Sequence, residues 1–247
     1  MQPASYGPPI SARRACLCVF LKDPQPGQVK TRLGQRWGHQ RAAALYRAFV
    51  EDTLQWAARL PLAEKRVYYT PPEASMEALH RLAPTGAESL RFHAQGEGDL
   101  GSRLHQAFLE TFRDGFSASV VMGTDCPLLG PAVVTRALGE LAKKDLVLGP
   151  AHDGGYYLIG MKRVIPEVFR DVPWSTSTVL ETTLARAHTA GVSVAQLPAL
   201  GDVDTLEDLK ALHRELLRRQ RLREQDDFPW RTFRELTSHA PSADDDA

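Results

Sequence analysis

The run Ala15-Cys16-Leu17-Cys18-Val19-Phe20-Leu21 leads directly into Lys22-Asp23-Pro24-Gln25-Pro26-Gly27-Gln28-Val29-Lys30-Thr31-Arg32-Leu33. A short apolar run bounded by a charged, proline-bearing stretch reads as a strand buried on both faces, as in the centre of a parallel sheet. Further strand-like segments follow at residues 66–70, 89–93, 118–122, 145–148, 156–159 and 193–197. Between them lie helix-like segments. Residues 41–60 place Ala42, Leu45, Phe49, Thr53, Trp56 and Leu60 at spacings of three and four, which is an amphipathic helix. Helices are also predicted over 72–82, from Asp99 onward, and over 131–143, 178–190 and 205–223. Strands alternating with helices give an α/β class: a three-layer α/β/α domain around a mostly parallel sheet. In such sheets ligands bind beyond the carboxyl ends of the strands, so the loops after each strand are where chemistry is sought.

Composition narrows the function classes. The chain has 247 residues and 30 basic residues against 30 acidic ones, so no global positive field exists to hold a nucleic-acid backbone. No apolar run approaches the roughly 20 residues of a membrane span, and the N-terminal stretch lacks the apolar core of a signal peptide. Three cysteines in no pairing pattern suit a reduced, cytoplasmic setting. Residues 1–14 read as a loose leader, 15–217 as the domain, and 218–247 as a charged, partly disordered extension. Within that extension Phe228, Trp230, Phe233 and Leu236 read either as a tail folded back on the domain or as a partner-binding segment.

Six segments carry candidate chemistry. The loop after the first strand holds Lys22, Lys30 and Arg32, with Thr31 as a hydroxyl donor and Gly27 to shape the turn. It reads as a di- or triphosphate loop, or as a solvated basic loop; Lys30 and Arg32 are expected at the surface of the site. Strand 118–122 runs into Gly123-Thr124-Asp125, where a carboxylate at a strand's carboxyl end suits a Mg²⁺ or Mn²⁺ ligand or a turn cap. In Asp202-Val203-Asp204, an extended backbone would put both carboxylates on one side. Asp204 is equally placed to cap the last helix, with Glu207 completing a capping box, and Asp202 is the next candidate if Asp204 only caps. His152-Asp153-Gly154-Gly155 joins two strands as a hairpin, and Asp153 is a candidate general base or acceptor contact. Trp174 and Ser175 lie in a polar loop before a helix, and Arg103 follows a glycine-rich helix start, where it could face a phosphate or a surface partner.

Taken together, KDPQPGQVKTRL (22–33), QGEGDLGSR (95–103), GTDCPLL (123–129), GPAHDGGYYLIG (149–160), VPWST (172–176) and DVDTLEDL (202–209) resemble the radical-SAM/selenodomain-associated transferase family of bacterial glycosyltransferases. That family lies within the nucleotide-diphospho-sugar transferase, GT-A-like, superfamily. The resemblance spans about residues 15–215. It implies the GT-A-like fold and a metal-dependent transferase that moves a glycosyl group from a nucleotide-diphospho-sugar to a small acceptor. It places Lys22, Lys30 and Arg32 in the phosphate loop, Asp125 and Asp204 at the metal and Asp153 near the acceptor. Gly154, Gly155, Trp174 and Ser175 are then possible substrate contacts. The chain departs from sugar nucleotidylyltransferases in lacking their glycine-rich GxGxR loop. Two other classes stay open: a nucleotidylyltransferase releasing pyrophosphate, and a non-catalytic nucleotide-binding module.

Overall fold

The computed structural model describes residues 14–222 and 227–239. The readings of the leader and of the extreme C-terminal residues lie outside these.

The expected central strand is β1 (Ala15–Lys22), and its alternation decides the layering. Leu17, Val19 and Leu21 point to one apolar core, and Cys16, Cys18 and Phe20 to a second on the opposite face. Around it lie β2 (Glu64–Thr70), β3 (Leu90–Ala94), β4 (Ala118–Met122), β5 (Leu146–Pro150), β6 (Tyr156–Met161) and β7 (Val194–Gln196). They form one seven-stranded sheet in the order β3-β2-β1-β4-β6-β5-β7. All neighbours are parallel except at β6, which runs antiparallel to both β4 and β5. The reversal has a positional consequence: the turn from β5 to β6 lies at the same edge as the carboxyl ends of β1 and β4.

One face of the sheet is covered by α1 (Thr31–Trp37), α2 (His39–Arg59), α5 (Pro131–Leu141), α7 (Leu206–Arg221) and α8 (Trp230–Ser238). Their Leu33, Phe49, Leu54, Val134, Leu209 and Leu236 share its core. The other face is covered by α4 (Leu100–Arg113), a short 3₁₀ turn at Pro166–Phe169, and α6 (Val179–Thr189), through Leu104, Phe108, Val168 and Ala187. The three-layer, mostly parallel α/β fold is therefore the one expected. No described helix is long and apolar enough to cross a membrane.

Three local expectations need correction. The helix expected over 72–82 is only α3 (Met76–His80), because Ala74 N–H closes a turn on Pro71 C=O and Ser75 then caps the helix by accepting from Ala78 N–H. The loop expected through Leu33 stops at Lys30, and Thr31 and Arg32 open α1. Asp204 does not cap α7: Thr205 does, with Asp208 rather than Glu207 returning the bond to the Thr205 N–H.

The aromatic C-terminal patch is folded back. Phe228, Phe233 and Leu236 are buried in the first core, while Trp230 is partly exposed. The docking has a polar anchor: the Asp52 carboxylate on α2 accepts from Arg231 N–H (3.1 Å) and Thr232 N–H (2.8 Å), capping α8 from another helix. The same carboxylate faces the Arg231 guanidinium at 3.5 Å. Replacing Asp52 by Ala leaves those N–H groups without their acceptor, and a lost cap costs about 1–2 kcal/mol. Asp52→Ala should therefore lower the melting temperature by a few degrees and speed proteolysis within α8. Unchanged melting and cleavage would show that α8 is held by its apolar face alone.

Candidate functional site

The site begins with how the chain holds its loops at the sheet edge. Tyr46 on α2 is fully packed, yet its hydroxyl ends between two strands. It shares a 2.8 Å hydrogen bond with the Thr124 hydroxyl after β4 and accepts from Lys22 N–H, at the end of β1, at 3.0 Å. On the other side of β1 the buried Gln95 amide donates to Leu21 C=O at 3.2 Å and Tyr68 C=O at 3.1 Å. These ties fix where the loops following β1, β2, β3 and β4 depart. The β5–β6 turn is held by Ala151 N–H on Gly155 C=O and by Gly155 N–H donating to Asp153 Oδ1 at 2.8 Å. Gly154 has φ +88°, and a Cβ there would lie 2.0 Å from Ser177 C=O, so this turn accepts only glycine where the 174–178 loop crosses it.

These segments wall a cleft of about 640 Å³. Lys30 is one of its lining residues. Its backbone is left-handed (φ 47°, ψ 43°) and its side chain is only 3% exposed. The ammonium bonds the Asp125 carboxylate and Asp204 Oδ1, the latter at 3.0 Å. Arg32, 71% exposed, reaches the other oxygen of Asp204 at 3.2 Å. Burial works against charge on Lys30, but Asp125 and Asp204 outweigh it and hold its pKa above the ordinary lysine value. Burial likewise disfavours the Asp204 carboxylate; Lys30 and Arg32 outweigh it and keep that carboxyl below its usual range.

Asp202 differs. Val203 is buried and Asp202 and Asp204 both line the cleft, as the extended reading of the segment requires. Among the described residues no ion pair is formed by Asp202, and burial, then Asp153 and Asp204, push its pKa up against a smaller opposing effect of Lys30. The aromatic wall is Trp174, which stands edge-on to Tyr156 with ring centroids 6.3 Å apart. A Cβ on Gly101 would meet the Trp174 indole at 2.5 Å, so the glycine at the start of α4 makes the seat for this ring.

Of the expected residues, Lys22, Lys30, Thr31, Arg32, Asp125, Asp153, Gly155, Trp174, Ser175 and Asp204 all line the cleft. Lys30 is buried, not at the surface, because two carboxylates draw it inward. Arg103 is not among them: its guanidinium donates to Gly98 C=O at 3.0 Å and to Gln95 Oε1 at 3.5 Å, closing the loop before α4. Thr124 is buried against Tyr46, Gly154 lies beneath the 174–178 loop, and Gly27 (φ +78°) shapes the β1 loop without lining the cleft. Tyr46, Tyr156 and Tyr157 were not anticipated. Burial raises the Tyr157 pKa to about 12, ahead of a smaller effect of Cys126, so its hydroxyl stays protonated and donates to Pro198 C=O at 3.0 Å.

The carboxylates also answer whether a divalent cation suits the site. Asp125 and Asp204, from distant segments, already converge on one positive group, the Lys30 ammonium, and Asp125 is 55% exposed to the cleft. Among the described residues no three His, Cys, Asp or Glu side chains form a complete metal cage. That donor set fits Mg²⁺ or Mn²⁺, which use one or two carboxylates and complete their shell with phosphate and water.

The family model described as "Uncharacterized protein conserved in bacteria (DUF2064)" matches residues 53–176. The chain is 38% identical to a "putative nucleotide-diphospho-sugar transferase" from Desulfovibrio desulfuricans G20, covering 89% of this chain and 98% of that one, with a TM-score of 0.77. It shares its fold with 4-diphosphocytidyl-2C-methyl-D-erythritol synthase from Anaerococcus prevotii DSM 20548: 10% identity, 81% and 94% coverage, TM-score 0.54. The CMP:2-keto-3-deoxy-manno-octonic acid synthetase in complex with CTP is similar at 11% identity, 84% and 99% coverage, TM-score 0.50. No curated protein matches the chain.

The raised pKa of Asp202 has a stability consequence. The folded protein holds its proton more tightly than the unfolded chain, so above both pKa values the charged form weakens the fold; the deficit shrinks as pH falls from the folded value and is gone below the unfolded one. Asp202→Asn should therefore raise the melting temperature at neutral pH, with the gain fading on acidification through the carboxylate range. A destabilised variant, or a gain independent of pH, would contradict this account.

Proposed function

The chain belongs to the DUF2064 family of bacterial proteins, and from the charge layout of its cleft we propose that it is a metal-dependent transferase acting on a nucleotide-diphospho-sugar. The observation that carries the reading is the meeting of Lys22, Lys30 and Arg32 with Asp125 and Asp204 at one carboxyl edge of the sheet. Cations grouped with carboxylates suit a diphosphate bound with a divalent ion. A site for a neutral ligand has no need of them.

In the proposed reaction an acceptor hydroxyl attacks the anomeric carbon of the donor sugar. The bond from that carbon to the diphosphate breaks, and its electron pair leaves on the nucleoside diphosphate. Lys22, Lys30 and Arg32 neutralise the charge that develops there. Asp153 takes the acceptor's proton: Gly155 N–H holds one of its oxygens and orients the carboxylate at the cleft. Trp174 offers a flat apolar wall for the sugar or the base, and Ser175 beside it a hydroxyl. Asp125 and Asp204 would hold Mg²⁺ or Mn²⁺, which when bound supplies further charge neutralisation at the diphosphate.

Nucleotide-diphospho-sugars of several bases, incubated with the protein, Mn²⁺ and a panel of small hydroxylated acceptors, should yield free nucleoside diphosphate. Pyrophosphate released from nucleoside triphosphates would move the assignment to nucleotidyl transfer, and tight binding without turnover would leave a binding module. Arg32→Ala should weaken nucleotide binding by about 1.5–3 kcal/mol, the worth of a charged hydrogen bond, with melting nearly unchanged because Arg32 is largely exposed. Calorimetric titration of variant and parent decides it, and equal affinity removes Arg32 from the phosphate site.

A further inference from the structure

We propose that Lys30 is a built-in counter-ion that keeps a divalent cation off Asp125 and Asp204 until phosphates draw the ammonium away. The inference rests on the phosphate reading above. It adds an order of events: metal and diphosphate enter together, and Lys30 is the residue that couples them.

The charges in the cleft point to such an arrangement. Asp125 and Asp204 converge on one point, and that point is already occupied by the ammonium of a side chain almost wholly removed from solvent. Arg32 supplies a second positive charge to the free oxygen of Asp204, so the carboxylate pair is balanced without a metal. A divalent ion arriving alone would share these carboxylates with an ammonium in direct contact with both, and like charges at that range repel. It would also be short of ligands: Asp202 and Asp153 line the same cleft, but among the described residues no three His, Cys, Asp or Glu side chains are grouped to hold a metal ion.

A diphosphate changes both conditions at once. Its oxygens are new acceptors for the Lys30 ammonium, which already lines the cleft, and they supply the oxygen ligands that Mg²⁺ and Mn²⁺ need beyond two carboxylates. Coupling of this kind is reciprocal: whatever the phosphate adds to metal affinity, the metal adds to phosphate affinity.

The test uses the full chain, with Mn²⁺ as the metal and inorganic pyrophosphate as the diphosphate. Binding of Mn²⁺ alone is followed by the resonance signal of the free ion. The parent should bind it weakly. Lys30→Met, which removes the ammonium, should bind it more tightly by on the order of tenfold, and Mn²⁺ should raise the melting temperature of this variant and not of the parent. Adding Asp125→Asn to Lys30→Met should abolish the gain. Lys30→Gln serves if Lys30→Met does not fold. Pyrophosphate added to the parent should increase the Mn²⁺ retained on the protein after gel filtration. If the parent alone binds Mn²⁺ as tightly as the Lys30 variants, or if neither variant gains, the counter-ion role is wrong. Stabilisation of the parent by pyrophosphate without metal separates the two failures: if it persists, only the counter-ion inference falls, and if it is absent the phosphate reading falls with it.

Discussion

A single ammonium group holds the working edge of this protein together. Lys30 on the loop after β1, Asp125 after β4 and Asp204 after β7 come from three segments, and the Lys30 side chain is the point at which they meet. A charge this well buried survives only because it is paired. Removing one partner of a fully buried pair costs about 3–5 kcal/mol, and less here, where Asp125 and Asp204 are 55% and 34% exposed. The approach of the two carboxylates to one another follows from where that ammonium sits.

The ammonium can be placed there only because the rest of the fold brings loop ends to one edge. Parallel pairing on both sides of β1 sends the β1, β2 and β4 loops the same way. The reversed β6 adds the β5–β6 turn, with Asp153, to the same edge. Tyr46 and Gln95 then fix the strand ends from opposite sides of β1, one through a hydroxyl and one through an amide. Each is a buried polar group with its hydrogen bonds satisfied, and such groups specify position more than they add stability.

The far wall depends on two missing side chains. Gly101 leaves space for the Trp174 ring, and Gly154 lets the 174–178 loop cross the β5–β6 turn. The glycines in QGEGDLGSR and in HDGGYY thus serve the same loop from two directions, although they lie far apart in the chain. Asp202 is the opposite case: a half-buried carboxylate whose charge is disfavoured by burial and by Asp153 and Asp204.

Much of this was legible in the residues themselves. The continuous apolar run of β1, three-and-four spacing in α2, the helix start at Asp99, whose carboxylate caps α4, and the alternation of Asp202, Val203 and Asp204 are local patterns, because an element's pattern needs only its own neighbours. The cleft-lining loops could likewise be located, since strand ends mark them. What tertiary structure alone decided was partnership. Asp204 could have been a cap until Thr205 and Asp208 took that role, and Arg103 could have faced a phosphate until Gly98 and Gln95 claimed it. Lys30 and Asp204 are 174 residues apart, and Tyr46 and Thr124 are 78 apart. No local pattern reports which distant group a charged or polar side chain will meet. That depends on how the whole sheet stacks its loop ends, and on the strong preference of a buried charge for the nearest opposite one.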